Sequence, residues 1–302
     1  MGTATLTSPS VVNARVSRTR LQSFLRYLSR NPNLAIGLVM FIILIVFTAV
    51  GLTMIDPQLG YAGAVRGSQA PSAKFLFGTD GQGRDLFTVA VLGTWVTLKI
   101  GFIAAVIGLG FGTFLGFISA YFGGGIDVVL RWVIDVFMAI PGFLILIVLA
   151  ATLGGKISTE GTGLIISLFL WAGPARTIRS QVLSLRERQF VLMAKLSGLG
   201  DMRIIIEELI PNLLPYLGAN LIGAVMGAIY ASAGLAILGL GNLREPQLGN
   251  MLYFMTNQGA VVRGLWWWVA VPVVLLCWVF VMLFMISSGM DELANPRLRR
   301  RV

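Results

Sequence analysis

Few side chains in this sequence could carry out chemistry. The chain has no histidine and a single cysteine, Cys277, which lies inside an apolar run. The commonest acid/base group and metal ligand is therefore missing, and neither an intrachain disulfide nor a cysteine metal cluster can form. The nearest approach to a nucleophile and a base within the apolar segments is Ser167 with Lys99, but Lys99 lies near the end of its segment, where its chain can extend to the interface. We expect no catalytic residue and no metal site.

Two classes of enzyme fit the sequence poorly. An intramembrane protease or a lipid transferase would need paired aspartates on facing helices, or a serine with a base, at depth in the bilayer. Gly155-Lys156 could suggest a phosphate-binding loop, but Ile157 follows and no glycine stands five positions before Gly155. We therefore expect that the chain has no ATPase site of its own.

Three charged residues are spaced to act together. Asp127, Arg131 and Asp135 stand at i, i+4 and i+8, so they share one face of a helix. Each carboxylate could then pair with the one guanidinium, which would make charge tolerable near the end of a membrane span. Charge in a span can mark a functional site, but we interpret these residues as structural ion pairs.

The composition is typical of an integral membrane protein. Hydrophobic residues make up 56% of its 302 residues and charged residues 12%, and the mean hydropathy is +0.84. An ordinary soluble domain is excluded by these values. The net charge of +10 could suggest nucleic acid, but in a membrane chain it follows more often from basic residues kept at cytoplasmic ends.

The apolar runs predict an all-α integral membrane protein with six transmembrane helices. Each run reaches or approaches the roughly 20 residues that cross a bilayer, and the fourth is the shortest. The predicted spans are residues 34–54, 92–121, 128–153, 163–178, 217–240 and 266–288.

The basic residues predict that both termini are cytoplasmic. With six spans, sixteen of them fall inside and six outside, and basic residues accumulate on the cytoplasmic side. The inside set is Arg15, Arg18, Arg20, Arg26, Arg30, Arg131, Arg176, Arg179, Arg186, Arg188, Lys195, Arg203, Arg297, Arg299, Arg300 and Arg301. The outside set is Arg66, Lys74, Arg84, Lys156, Arg244 and Arg263.

The chain divides into a membrane domain and two tails. Residues 1–33 are expected to form a cytoplasmic tail with an amphipathic helix on the inner leaflet, or packed on the cytoplasmic loops. The six-span membrane domain covers 34–290 and includes a cytoplasmic loop at 181–216, and 291–302 form a C-terminal cytoplasmic tail. The apolar face of the N-terminal helix consists of Leu21, Phe24, Leu25 and Leu28.

The loop at 181–216 is predicted to be compact. A first helix covers about 186–197, and Gly198 and Gly200 supply left-handed positions that end it. Asp201 is suited to cap a second short helix, which Pro211 closes. A loop lying on the membrane surface is the plainer alternative. The apolar face of the first helix is predicted to be Phe190, Met193, Ala194 and Ser197.

Glycine spacing in the second span predicts close helix packing. Gly108, Gly112 and Gly116 follow one another at intervals of four positions, so they align on one face of a helix. Small residues at this spacing let another helix approach closely.

The 181–216 loop resembles the cytoplasmic EAA loop of ABC importer permeases. Leu192 stands at the usual acidic position, and Met193 replaces the first alanine of that pattern. The resemblance implies that this loop docks in a groove on an ATPase subunit. The matching residues are Ala194, Gly198, Ile210 and Pro211. The implied ATPase contacts are Phe190, Met193, Ala194, Lys195, Gly198 and Arg203.

A second segment indicates which group of importers the chain resembles. Residues 77–85 contain a glycine-rich turn whose string resembles the GTDxxGRD segment of the second permease subunit in dipeptide, oligopeptide and nickel importers. The same family carries Asp127, Arg131 and Asp135 in the same order. The residues that match the extracellular string are Gly78, Thr79, Asp80, Gly83, Arg84 and Asp85.

The resemblance implies a heteromeric importer in the cell (inner) membrane. This chain would be a multi-pass permease that pairs in the lipid bilayer with a second homologous permease, two ABC ATPase subunits and an extracellular solute-binding protein, with no nucleic acid. ATP and magnesium would be bound by the partner ATPases, and no cofactor by this chain. The implied solute is a peptide, with oligosaccharide or nickel as alternatives. A channel or secondary transporter is the remaining alternative, but the sequence has no convincing internal repeat.

Overall fold

The computed structural model describes residues 28–155 and 157–294. The predicted N-terminal amphipathic helix, up to residue 27, and the C-terminal tail from residue 295 lie outside the described residues. The described part of the chain is helical and contains no β-strand.

Eleven α-helices occur in the described ranges. They are α1 (Pro32–Met54), α2 (Leu86–Phe122), α3 (Gly124–Ala139), α4 (Gly142–Leu153), α5 (Thr159–Leu170), α6 (Ala172–Arg186), α7 (Gln189–Leu196), α8 (Asp201–Ile204), α9 (Ile210–Ile237), α10 (Leu248–Asn257) and α11 (Trp266–Ala294). A 3₁₀ turn covers Pro57–Gly60, and a π-helical turn at Ile205–Leu209 joins α8 to α9.

Four helical segments are long and apolar enough to cross a membrane. They correspond to the first, second, fifth and sixth predicted spans, and they make the chain a multi-pass membrane protein. Their bounds are Pro32–Met54, Leu86–Phe122, Asp201–Ile237 and Trp266–Glu292.

The third predicted span is broken. Helices α3 and α4 meet at 70° across Ile140 and Pro141, and they form a fifth span only if the bent pair is taken as one. Ile140 has an extended backbone, with φ −81° and ψ 130°, as the residue before a proline prefers. Pro141 thus separates the two helices.

The fourth predicted span consists of two helices. Helix α5 is apolar but has only 12 residues, and the more polar α6 follows after Trp171. A Cβ added to Gly163 of α5 would meet Ile103, and a Cβ added to Gly116 would meet the backbone of Arg179 in α6. The pair therefore runs beside α2 in the same direction. The total of six spans stays a prediction.

Close packing of α2 follows from its glycines. A Cβ on Gly112 would lie 2.3 Å from Trp171 O, and one on Gly116 would lie 2.6 Å from Ala175 O. A Cβ on Gly108 would lie 3.1 Å from Leu170 Cβ. The predicted approach of a second helix along these glycines is confirmed, and the helix is the α5–α6 pair.

The bundle has two distinct ends. At the first, called the basic end below, α7 and α8 lie beside the C-terminus of α2, the N-terminus of α3 and the C-terminus of α6. At the other, called the loop end, the connection 55–85 meets 238–265, where Arg263 Nη2 donates a 2.9 Å hydrogen bond to Ser68 Oγ. Helix α1 starts at the basic end, where the side chain of Asn31 donates to Gly289 O of α11.

Candidate functional site

The segment 189–204, containing α7 and α8, is anchored by a small apolar core. Val191 and Ile204 are fully buried, and Ala194 is 7% exposed. These side chains pack against Ile178 of α6 and Leu209 of the π turn. Burial of this face fixes the segment to the bundle as a compact unit.

The opposite face of the segment is apolar and exposed. Leu192, Met193 and Leu196 are 57%, 62% and 75% exposed, and Met202 and Ile206 beyond them are also exposed. Leu192, Met193 and Leu196 lie outside the segments that could span the membrane, and exposed apolar side chains there indicate an interaction surface. We call these five residues the apolar patch.

The predicted apolar face of the first helix was wrong. Phe190, Met193, Ala194 and Ser197 were expected to lie together, but Ala194 is buried while Met193 and Ser197 are exposed. The helix also begins at Gln189 and not at Arg186. The cause is tertiary packing, because the side of α7 that carries Val191 is the side that contacts the bundle.

Gly198 ends α7 as predicted. Its φ is +79°, and its amide donates to Lys195 O at 3.0 Å. Residues with a Cβ rarely adopt this conformation. Gly200 differs from the prediction, because its φ is −69° and it is the N-terminal flanking residue of α8.

The second short helix does not end at Pro211. Asp201 is the first residue of α8, and the helix continues through the π turn into α9 as one 37-residue segment. Pro211 directly follows the π turn, so its missing N–H falls where the regular hydrogen bonding of the continuous helix is already interrupted. Asn212 Nδ2 donates to Glu208 O at 2.6 Å within the wider turn. Single π turns in α-helices occur frequently at functional sites.

Two exposed cations flank the patch. Lys195 Nζ lies 5.6 Å from the centre of the Tyr121 ring, and Arg203 Nε donates to Glu207 Oε1 at 2.9 Å. Phe190 is half-buried. Of the six residues predicted to contact an ATPase, Ala194 therefore faces the bundle, whereas Met193, Lys195, Gly198 and Arg203 are accessible.

The segment is also tied to α2 by polar contacts. Tyr121 at the end of α2 donates its hydroxyl to Asp201 Oδ1 at 2.6 Å. Arg186 Nη1 donates to Ala120 O at 2.8 Å, which satisfies a carbonyl in the last turn of α2. The start of the long helix and the end of α2 are thus directly linked.

The pairing predicted for Asp127 and Asp135 was wrong. Arg131 was the expected partner, but its side chain is exposed and forms none of the ion pairs among the described residues. Asp127 instead receives two hydrogen bonds from Arg179, at 2.6 and 2.7 Å. Arg176 Nη2 lies 3.6 Å from Asp135 Oδ1.

The physical reason is that α6 lies against α3. Two N–H···O bonds give the Arg179–Asp127 pair a fixed, bidentate geometry. Ser119 Oγ donates to the same carboxylate at 2.5 Å, so α2, α3 and α6 meet at Asp127. Arg179 had been counted only as a basic residue of the loop region.

The string at 77–85 forms a buried turn at the loop end. Asp80 is fully buried and Arg84 is 4% exposed, and Arg84 Nε lies 2.6 Å from Asp80 Oδ2. Asp80 Oδ1 accepts from the backbone amides of Gln82 and Arg84, both at 2.9 Å. The Arg84 guanidinium lies 4.4 Å from the centre of the Phe254 ring on α10. Each charge is therefore compensated within the turn.

Other residues of the string hold the turn in place. Gly83 has φ +74°, and a Cβ there would lie 2.2 Å from Val65 O. Gly78 likewise has φ +73°. Thr79 Oγ1 donates to Arg66 O at 2.8 Å. Asp85 caps α2 by accepting from Thr88 N at 2.9 Å. The segment 77–85 fixes the backbone that leads into α2, and the contacts of its residues are structural.

The nearest candidate for a nucleophile and base is separated in space. Lys99 forms an ion pair with Glu160 at the start of α5, and Ser167 Oγ donates to Leu164 O at 2.7 Å in its own helix. Lys99 thus has an acidic partner near the loop end. Sequence reasoning missed this pair because its members are 61 positions apart.

A cavity of about 460 Å³ lies between α6, α9 and α11 near the basic end. Its wall combines small residues with charged and polar side chains. The lining includes Gly173, Arg176, Thr177, Asn220, Gly223, Gly227, Ser287 and Asp291. Sequence reasoning did not identify this site, since hydropathy does not separate lipid-facing from cavity-facing positions.

Comparison with known proteins places these features in a family. The family model described as "Binding-protein-dependent transport system inner membrane component" matches residues 112–300. The dipeptide transport system permease protein DppC of Bacillus subtilis is 30% identical over 295 residues, covering 95% of this chain and 88% of that protein. The oligopeptide transport system permease protein OppC of Lactococcus lactis subsp. lactis is 33% identical over 227 residues, covering 75% and 76%.

A solved structure supports the fold. An inward-facing structure of the MetNI methionine ABC transporter matches with a TM-score of 0.53 and 20% identity, covering 69% of this chain and 95% of that chain. The helices at the basic end and the family match together lead to one conclusion: the chain belongs to the inner membrane component family of binding-protein-dependent transport systems, as an ABC importer permease of the peptide transport group.

Proposed function

We propose that this chain forms the solute path of an ATP-driven importer together with a second, homologous permease, and that two cytosolic ABC ATPases drive it. The observation that carries the proposal is the apolar patch, which is exposed on a segment fixed to α2 and continuous with α9. A surface of this kind can transmit the movement of a docked subunit to the membrane helices.

The docking would be mainly apolar. Leu192 occupies the position where the related loop usually has an acidic residue, and it is 57% exposed beside Met193 and Leu196. Lys195 and Arg203 would lie at the rim, where exposed charges contribute more to association rate and specificity than to affinity. ATP and magnesium would bind to the ATPase subunits, and this chain would supply no cofactor site.

The basic end would be cytoplasmic. Arg179, Arg186, Lys195 and Arg203 lie there, and basic residues near spans are retained on the cytoplasmic side. The long connections of the loop end would then face outward, toward a solute-binding protein. This orientation gives six crossings, counting α3–α4 and α5–α6 as one each, with both termini in the cytosol and the complex in the inner membrane.

The second permease would cover the exposed face between α9 and α11. A groove of about 500 Å³ lies there, with Gly223 and Gly227 at its base and Tyr230 and Phe284 at its edges. No atom lies within 4 Å of a Cβ added to either glycine, so the face leaves room for another helix or for solute. Small residues permit such close approach in a bilayer.

Peptides are the proposed solute class. Support comes from the relatives, whose names describe dipeptide and oligopeptide transport. The test has two steps. The tagged chain is extracted in mild detergent and its co-purifying chains are identified by mass spectrometry, and the complex is then reconstituted with its binding protein for uptake of labelled peptides.

The expected result is a fixed stoichiometry with one related permease and two ATPase copies, and ATP-dependent peptide uptake. Recovery of the chain alone, or only with itself, would contradict the importer assembly and favour a channel. A complete complex that takes up an oligosaccharide or nickel but no peptide would contradict only the solute class.

A further inference from the structure

The cavity near the basic end has an unpaired carboxylate on its wall. Asp291 lines it, is exposed, and takes part in none of the six ion pairs among residues 28–155 and 157–294. It lies on α11 at the basic end, one residue before the end of the segment Trp266–Glu292 that is apolar enough to span the membrane. A carboxylate on a cavity wall that has no ion-pair partner can fix the orientation of a bound ligand.

Two further acceptors lie beside Asp291. Ser287 precedes it by four residues, so both side chains lie on one face of α11. Ser287 Oγ contacts Ala219 O of α9 at 3.5 Å, and the next residue, Asn220, also lines the cavity. Asn220 Nδ2 donates a hydrogen bond to Tyr216 O at 2.8 Å, which leaves Asn220 Oδ1 available as an acceptor.

The opposite wall carries a cation. Arg176 of α6 lines the cavity and its side chain is 60% exposed. Its contacts are long, 3.6 Å to Asp135 Oδ1 and 3.6 Å to Met138 Sδ. A guanidinium has five N–H donors, so most of this group's capacity is available to an incoming carboxylate.

The space between these walls suits a small ligand. Its volume of about 460 Å³ is within the usual range of small-molecule sites, roughly 300–1,000 Å³. Gly223 and Gly227, one turn apart on α9, border both this cavity and the groove assigned to the second permease, and no atom lies within 4 Å of a Cβ added to either. Pro174 on the α6 side contacts the position of Gly112, ten residues before the end of α2, so the cavity extends from the basic end, where Asp291 lies, to roughly 15 Å into the bundle.

We propose that this cavity binds the free amino terminus of a short peptide solute through Asp291, Asn220 and Ser287, while Arg176 faces the peptide carboxylate. An ammonium group has three donors, which match the three acceptors of the α9–α11 wall. The charge complementarity favours a zwitterion over a neutral sugar or a metal cation, since the latter would be repelled by Arg176. This inference rests on the proposed function and assigns to it a peptide-binding site.

Protection of a cysteine reporter tests the site directly. Cys277 is first replaced by Ser, and Thr177→Cys places a nearly isosteric thiol on the cavity wall. The importer complex, purified without its binding protein, is treated with a maleimide in the presence of L-alanyl-L-alanine, its N-acetyl derivative or phosphoethanolamine. Gly223→Cys serves as a second reporter if the first variant assembles poorly.

Dialanine should slow the labelling, and the N-acetyl derivative should protect much less. Asp291→Asn should raise the half-protecting concentration of dialanine about tenfold or more, as expected for a hydrogen bond to a charged group. Glu292→Gln is the matched control, because it removes the neighbouring charge, which does not line the cavity. It should leave protection unchanged.

Three results would overturn the inference. They are equal protection by both peptides, insensitivity to Asp291→Asn, and protection by phosphoethanolamine alone, which would indicate a lipid headgroup. Uptake of labelled dialanine by the parent complex in proteoliposomes distinguishes a failure of this binding site from a failure of the proposed function. Uptake without protection rejects this site and keeps the proposed function, whereas the absence of any peptide uptake rejects the solute class and the site with it.

Discussion

Tyr121 and Asp201 join the end of α2 to the first turn of the long helix that continues as α9, through a hydrogen bond of 2.6 Å. The two residues are 80 positions apart, and the contact lies beside the apolar patch. Under the proposed function, movement of the segment 189–204 would act on two membrane helices at once, directly through α9 and through this bond on α2.

Loss of this bond should weaken coupling. Tyr121→Phe removes one hydroxyl and keeps the ring under Lys195. A hydrogen bond to a charged group contributes about 1.5–3 kcal/mol, so we expect a fall of several-fold in the ATPase activity stimulated by the solute-loaded binding protein. The assembled complex should be recovered in normal yield.

Tyr61→Phe is the matched control, because Tyr61 is exposed at the loop end, far from this contact. Stimulated activity that is equal in both variants would show that the bond has no role in coupling.

A charge in the apolar patch should prevent docking. Leu196 is the most exposed of its side chains, at 75%, so Leu196→Asp should leave the fold intact. Burying that carboxylate against an apolar groove would cost several kcal/mol. We expect the ATPase subunits to be lost from the purified complex while membrane insertion is unchanged.

Val262→Asp provides the comparison, since Val262 is 93% exposed at the loop end. Retention of the ATPases by Leu196→Asp would refute the apolar docking surface, and their loss from Val262→Asp would indicate general damage.

The turn after α7 should require glycine at one position only. Gly198 has φ +79°, and no atom lies within 4 Å of an added Cβ, so Gly198→Val is opposed by backbone conformation and not by crowding. The left-handed conformation costs an L-residue roughly 1–2 kcal/mol, and more for a β-branched one. We expect reduced solute-stimulated ATPase activity with normal insertion.

Gly200→Val isolates this effect, because Gly200 has φ −69° and is equally free of neighbours. Normal stimulated activity in Gly198→Val would count against a role of the turn in coupling.

A side chain at position 112 should disrupt the close packing of α2. A Cβ there would lie 2.3 Å from Trp171 O, a backbone atom that cannot move without shifting α6. Gly112→Val should lower the thermal unfolding midpoint of the detergent-solubilised chain by several degrees, as overpacking typically costs about 1–3 kcal/mol.

Gly110→Val is the internal control, since no atom lies within 4 Å of its added Cβ. Equal midpoints for the two variants would contradict the observed contact between α2 and α6.

The sequence predicted those features that depend on one segment alone. Run length and hydropathy identified the four long spans, because the thickness of the bilayer sets that length. The glycines of α2 and the end of α7 at Gly198 were also predictable, since spacing and backbone freedom are local properties.

Features that depend on two distant segments were not predictable. Asp127 pairs with Arg179, 52 positions away, although Arg131 on its own helix offered a plausible partner. The orientation of α7 was wrong for the same reason, because Val191 finds its contacts on α6 and the π turn. One local feature was also interpreted wrongly: Pro211 was expected to end a helix, but it follows the π turn inside one continuous helix.

The helix from Asp201 to Ile237 begins in the segment that carries the apolar patch and extends to the wall of the cavity at Asn220, Gly223 and Gly227. At 1.5 Å per residue its 37 residues extend roughly 55 Å, so a single rod connects the two regions. Such a rod converts a small tilt at its base into a sideways displacement that grows with distance along it. The π turn at Ile205–Leu209 and Pro215 both interrupt the regular hydrogen bonding of this rod near its base, so any bending would be concentrated between the apolar patch and the cavity.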